Sequence, residues 1–135
     1  MPKYLIDTSI WIDLLDDRYG HNKEHLGNYA AKLLGKITKT KSTIIITDFL
    51  LKELLTYYPV ETVRGMFLPF RVEKYAASRQ QILESEKIAN ERCVPRGDAL
   101  FAIVARDCEL VLVTRDRHFK KLDNVCRYNK PEEII

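Results

Sequence analysis

Three short apolar runs mark the chain: Tyr4-Leu5-Ile6, Thr43-Ile44-Ile45-Ile46 and Leu110-Val111-Leu112-Val113. Unbroken runs rich in β-branched residues, without polar alternation, are the pattern of strands buried on both faces, which predicts a parallel sheet. Helical spacing follows the first two runs, through Ile10, Trp11, Leu14 and Leu15 and then through Leu50, Leu51, Leu54 and Leu55. Further helices are predicted over Lys23 to Leu34, Val60 to Phe67 and Glu73 to Glu91, the last turning Ala76, Ile82 or Leu83, and Ile88 or Ala89 inward. Pro95-Arg96-Gly97 breaks the pattern, and Asp98 then opens Ala99 to Ala105, apolar all round and therefore a buried helix. A weak fifth strand over Val125 to Tyr128 and a short ending from Pro131 to Ile135 complete an α/β pattern.

Composition narrows the class. The sequence has 135 residues, 46% hydrophobic and 30% charged, with five Gly and five Pro, which excludes disordered and fibrous chains and predicts one domain over residues 1–135. No apolar run approaches the roughly 18 to 20 residues of a membrane helix, and Met1-Pro2-Lys3 leads into only a short apolar run before Asp7. A chain neither exported nor membrane-spanning is expected. Cys93, Cys108 and Cys126 form no C-x-x-C pair, which argues against a disulfide framework or structural zinc and for a reducing cytoplasm. The net charge of +3 says little alone, but basic residues cluster at Arg115, Arg117, Lys120, Lys121, Arg127 and Lys130, and again at Lys32, Lys36, Lys39 and Lys41. Such clusters attract a polyanion or simply face solvent.

The carboxylates carry the chemistry. In an open parallel α/β sheet the strands end at one edge, where ligands bind. Asp7 follows the first run, Asp48 and Glu53 the second, and Asp116 the third, while Asp98 begins the buried helix. Singly, Asp7 or Asp98 reads as a helix N-cap, Asp48 keeps that reading, and Glu53 reads as an exposed flank residue. Together, without matching Lys or Arg, they predict a site for a hard divalent cation, Mg²⁺ or Mn²⁺, and so phosphodiester chemistry. There is no G-x-x-x-x-G-K-[ST] and no Ser-His-Asp or Cys-His signature. His21 and His25 are spaced for chelation on a helix but lack a third ligand there, whereas His118, beside the acidic edge, is a candidate for substrate contact.

The segments Leu5 to Asp13 (LIDTSIWID), Asp48 to Leu55 (DFLLKELL), Pro95 to Asp107 (PRGDALFAIVARD) and Leu110 to Leu122 (LVLVTRDRHFKKL) resemble the motifs of PIN-domain ribonucleases, a family that includes the VapC toxins. The resemblance spans essentially the whole chain and implies a three-layer α/β/α fold around a mostly parallel sheet of four to five strands. It implies Asp7, Asp98 and Asp116 as ligands of Mg²⁺ or Mn²⁺, Glu53 as the helix-borne catalytic acid, and Thr8, Ser9 and Thr114 as residues that position ligand or phosphate. Arg115 and Arg117 are expected to offset phosphate charge as a metal-bound water attacks phosphorus in line. The expected activity is endonucleolytic hydrolysis of RNA, with a toxin role, an antitoxin partner and a homodimer as the finer expectations. A non-catalytic RNA- or protein-binding module and an Mg²⁺-dependent phosphoryl-transfer protein are the rivals. Retention of all four acids argues against the former, and Thr8-Ser9 after Asp7, where a phosphatase needs a second Asp, argues against the latter.

Overall fold

The computed structural model describes residues 2–135. Strand β1 (Lys3–Ile6) leads into helices α1 (Thr8–Leu15) and α2 (Leu26–Lys39), and β2 (Thr43–Thr47) into α3 (Asp48–Tyr57) and α4 (Val60–Phe67). After β3 (Arg71–Tyr75) come α5 (Arg79–Arg92) and α6 (Arg96–Asp107), then β4 (Val111–Val113), a 3-10 segment Arg117–Leu122, β5 (Tyr128–Asn129) and a closing 3-10 turn Pro131–Glu133. The five strands form one sheet in the order β3-β2-β1-β4-β5, and every pairing is parallel. Helices cover the sheet to give a three-layer α/β/α fold. The chain grows from β1 toward one edge and then returns to pair β4 on the other side of β1, so the strand order reverses between β1 and β4. Crevices at such reversals are where open α/β sheets bind ligands.

Burial explains the inner strands. All five side chains of β2 are buried, as are Tyr4, Leu5 and Ile6 of β1. The α6 run from Ala99 to Ala105 is wholly buried, and Trp11 on α1 is fully enclosed, its Nε1 donating to the Ile6 carbonyl at 3.2 Å. Among the described residues no helix is long and apolar enough to cross a membrane.

Four expectations are corrected. Glu73 does not start a helix: Arg71–Tyr75 is the edge strand β3, whose side chains from Arg71 to Lys74 are all exposed, so the sequence shows no buried face there. Charge on an edge strand also discourages further strand pairing. The helix begins at Arg79 behind a capping box of Ser78 and Gln81, and its inward face is Gln81, Ser85 and Ile88, while Ala76, Ile82 and Leu83 are exposed. That face is polar because it is hydrogen-bonded: Gln81 donates to Asp107 at 3.0 Å and accepts from the Tyr75 hydroxyl at 2.9 Å. The helix expected over Lys23 to Leu34 is α2, starting later because residues 21–25 form a turn, with Lys23 at φ 62°, and ending later because Ile37 extends its buried stripe. His21 and His25 therefore do not share a helix, and His25 pairs with Asp17 and stacks on Tyr19. The fifth strand is Tyr128–Asn129, because Val125 and Cys126 donate their amides back to the Leu122 carbonyl in a turn.

Candidate active site

The reversal point gathers the acids. The Asp7 amide donates to the Val113 carbonyl at 2.9 Å, joining the ends of β1 and β4. Asp7 is buried and sits at the N-cap position of α1, yet its carboxylate caps nothing. Its Oδ2 instead accepts from Thr114 Oγ1 at 2.8 Å and from Ser9 Oγ at 2.9 Å. Asp48 loses its capping role as well: Thr47 caps α3, accepting from the Leu50 amide at 3.1 Å, and Asp48 is the exposed first residue of the helix.

Glu53, half-buried on α3, accepts at Oε2 from Thr8 Oγ1 at 2.9 Å. Gly97 permits this approach, since a Cβ there would stand 3.1 Å from Glu53 Oε1. Asp98 lies in the first turn of α6 behind Pro95, which holds the N-cap position, so it is no N-cap either, and it is buried. Asp116 caps the 3-10 segment, accepting from the His118 amide at 2.9 Å, while its own amide donates to Thr114 Oγ1 at 3.1 Å. His118 Nδ1 then stands 3.0 Å from Asp98 Oδ2 and 2.8 Å from Asp116 Oδ1.

The electrostatics follow from this crowding. Burial is the first cause pushing the Asp7 carboxyl up, opposed by its bonds from Thr114 and Ser9 and reinforced by the charge of Asp116. Burial likewise leads in raising Glu53, with Asp7 and Asp116 adding to it. Asp98 is pushed up to about 7, by burial first and then by the charges of Asp116 and Asp7, with His118 pulling the other way. Among the described residues no Lys or Arg lies within ion-pair distance of any of the four acids. One ligand atom from each of Asp98, Asp116 and His118 falls within 4.8 Å of the others, so the donors present fit a divalent cation.

The basic residues divide. Arg117, Lys120 and Lys121 are exposed beside Asp116. Arg115 is not available in the way expected of it: its guanidinium is turned to Glu132 at 2.5 and 2.8 Å, its Nε lies 3.3 Å from the buried Asp13, and Tyr29 stacks under it at 5.8 Å. Asp13 also meets Arg18 at 3.2 Å, a structural ion cluster that sequence alone did not single out. Its one signal is an acid set among Trp11, Ile12 and Leu14 on the α1 stripe. Beside Glu53 opens a groove of about 590 Å³ lined by Phe49, Lys52, Ile82, Arg96 and Leu100.

The family model of the PIN domain matches residues 4–125. Among solved structures, a toxin–antitoxin complex from Klebsiella pneumoniae is similar at 21% identity over 95% of this chain and 97% of that one, with a TM-score of 0.60. VapBC2 from Rickettsia felis, bound to a DNA fragment from their promoter, is similar at 20% identity over 94% and 98%, with a TM-score of 0.65. A Pyrobaculum aerophilum protein is similar at 21% identity over 98% and 86%, with a TM-score of 0.56. At these identities the likeness is one of fold. No curated relative matches the chain.

Proposed function

This chain belongs to the PIN domain family, and on that premise we propose that it is a metal-dependent endoribonuclease hydrolysing RNA phosphodiester bonds at the acidic edge of its sheet. The observation that carries the reading is the meeting of Asp7, Glu53, Asp98 and Asp116 at the strand-order reversal without one Lys or Arg paired to them among the described residues. Like charges that help raise the carboxyls of Asp7, Glu53 and Asp98 cost the fold stability, and a divalent cation offsets that cost.

Asp7, Asp98 and Asp116 would hold Mg²⁺ or Mn²⁺, which when bound supplies positive charge to the scissile phosphate and acidifies an attacking water. Thr114 and Ser9 fix Asp7 Oδ2 so that its second oxygen stays free. Thr8 holds Glu53 Oε2, leaving Oε1 to orient the attacking water and take up its proton, a role suited to a carboxyl whose pKa is raised. Arg117, with Lys120 and Lys121, offsets the charge of the flanking phosphates. Arg115 supports them from behind by holding the chain after β4 against Glu132 and Asp13.

The finer proposal is a toxin of a type II toxin–antitoxin module, one nuclease domain acting in the cytoplasm as a homodimer with a cognate antitoxin. Fold likeness to toxin–antitoxin complexes supports it. So does the groove beside Glu53, where Phe49, Ile82 and Leu100 offer an apolar seat to a partner segment. The test is incubation of single-stranded RNA with the protein in Mn²⁺, Mg²⁺ or EDTA, with Asp98→Asn in parallel. Cleavage by the wild type with metal alone, and none by the variant, is expected. RNA bound but left intact by folded protein in Mn²⁺ would replace the nuclease with a binding module.

A further inference from the structure

Among the described residues His118 brings the one nitrogen side-chain ligand to the acid cluster, beside the hydroxyls of Thr8, Ser9 and Thr114. The same atom, Nδ1, lies close to two carboxylates from separate parts of the fold: it is aligned with Asp98 Oδ2 on α6 at 3.0 Å and stands 2.8 Å from Asp116 Oδ1 at the start of the 3-10 segment. A histidine placed only by local turn geometry would meet Asp116 alone. Here Asp116 fixes the His118 backbone amide at 2.9 Å, and the ring folds back across the cluster to reach Asp98 as well. Among the described residues, Asp98, Asp116 and His118 form the only group of three or more such side chains able to offer ligand atoms within 4.8 Å of one another.

We propose that His118 Nδ1 is a metal ligand alongside Asp98 and Asp116, and that this nitrogen donor makes the site favour Mn²⁺ over Mg²⁺. The inference rests on the metal-site reading above and deepens it. Imidazole nitrogen adds affinity along the first-row transition series, in which Mn²⁺ stands lowest and still takes carboxylate oxygen, whereas Mg²⁺ keeps to oxygen donors and gains little from nitrogen. A ligating Nδ1 places the ring proton on Nε2, which the half-exposed ring can accommodate, its side chain being 48% accessible. From sequence His118 is a candidate for substrate contact; its Nδ1, set against Asp98 and Asp116, is the atom that would reach the cation.

The test is calorimetric titration of the intact chain, without RNA, with MnCl₂ and with MgCl₂. Wild type, His118→Ala and Asp98→Asn are compared, and pulsed electron paramagnetic resonance of the bound Mn²⁺ is recorded. His118→Ala should weaken Mn²⁺ by about tenfold or more while changing Mg²⁺ by less than about threefold. Mn²⁺ on the wild type should also show a nitrogen coupling that the variant lacks, a signature that loss of packing alone does not produce. An unchanged ratio of the two affinities, or wild-type Mn²⁺ with no nitrogen coupling, overturns the assignment. If Asp98→Asn abolishes binding and His118→Ala does nothing, His118 alone loses its role; if the wild type binds neither ion, the metal-site reading falls and this inference with it.

Discussion

Thr114 Oγ1 donates to Asp7 Oδ2 at 2.8 Å, so the residue after β4 holds the carboxylate that follows β1. The same hydroxyl accepts from the Asp116 amide at 3.1 Å and thereby links two acids of the cluster. Thr114→Val keeps the shape and removes both bonds. Since the Thr114 bond is the largest of those that lower Asp7 against burial, ahead of the one from Ser9, its loss drives that carboxyl further up. The acid limb of the pH–rate profile should move to higher pH, and stability should fall by about 1–3 kcal/mol, while Thr114→Ser restores both. A Thr114→Val profile superimposed on wild type would show that the bond does not tune the site.

Asp7→Asn and Asp98→Asn test the cluster itself. Each amide keeps the volume and loses the charge. Cleavage should drop by several orders of magnitude with the circular dichroism spectrum unchanged, because the cation supplies much of the transition-state stabilisation. Near wild-type turnover by folded Asp98→Asn would remove Asp98 from the chemistry.

Arg115 and Arg117 are neighbours with separate tasks. Arg115 is 14% exposed and neutralises Asp13, so Arg115→Ala should leave a buried acid short of a partner and lower stability by about 3 kcal/mol. Replacing Arg117 and Lys120 should barely move the melting temperature. It should instead flatten the salt dependence of RNA affinity by about 0.7 in log–log slope for each phosphate no longer neutralised. The reverse pattern, a salt-slope change from Arg115 and a stability loss from Arg117, would refute the division.

What the sequence makes legible is what burial dictates. The strands β1, β2 and β4 carry unbroken apolar runs because both their faces are covered, and α6 is apolar all round for the same reason. Asp7 and Asp116 are legible because a parallel sheet puts strand ends at one edge. β3 stays hidden because it is held to β2 through its backbone while its side chains face solvent. The inward face of α5 is hidden because Gln81 and Ser85 are buried through hydrogen bonds, which leave no hydrophobic period. The ion pairs of Arg115 are hidden because its partners, Asp13 and Glu132, are remote in the chain and no local pattern announces them. The direction of the His118 ring is a property of the turn that Asp116 caps, and it emerges only in three dimensions.

The cluster also sets how stability changes with pH in the absence of metal. Asp98 titrates at about 7 when folded, against an ordinary value of 3.8, so between those values the folded chain binds more protons than the unfolded one. Stability from this group is fully present below about 3.8 and is lost as pH rises through about 7. Asp7 and Glu53 are raised too and act in the same sense. Glu84, Asp107 and Glu132 are lowered and act oppositely, but their contribution fades only as pH falls below the ordinary carboxylate range. Asp13, raised by burial in its own ion cluster, acts in the same sense as the acids of the site, so over the window from roughly pH 8 to pH 5 it is the difference between wild type and Asp98→Asn that reads the cluster. In EDTA the wild-type melting temperature should rise as pH falls through that window. Asp98→Asn should flatten the rise and, at pH 8, stand above wild type by on the order of 1 kcal/mol, since the amide carries no charge to repel Asp7 and Asp116. Mn²⁺ at pH 8 should reverse the ranking: at a hundredfold excess over Kd it stabilises a competent site by about 2.7 kcal/mol, and Asp98→Asn should lose most of that gain. Melts of both proteins across the window, with EDTA and with Mn²⁺, measure all of this at once. Parallel pH slopes for the two proteins in EDTA, with no Mn²⁺ shift in the wild type, would mean that these carboxylates neither repel one another nor share a cation.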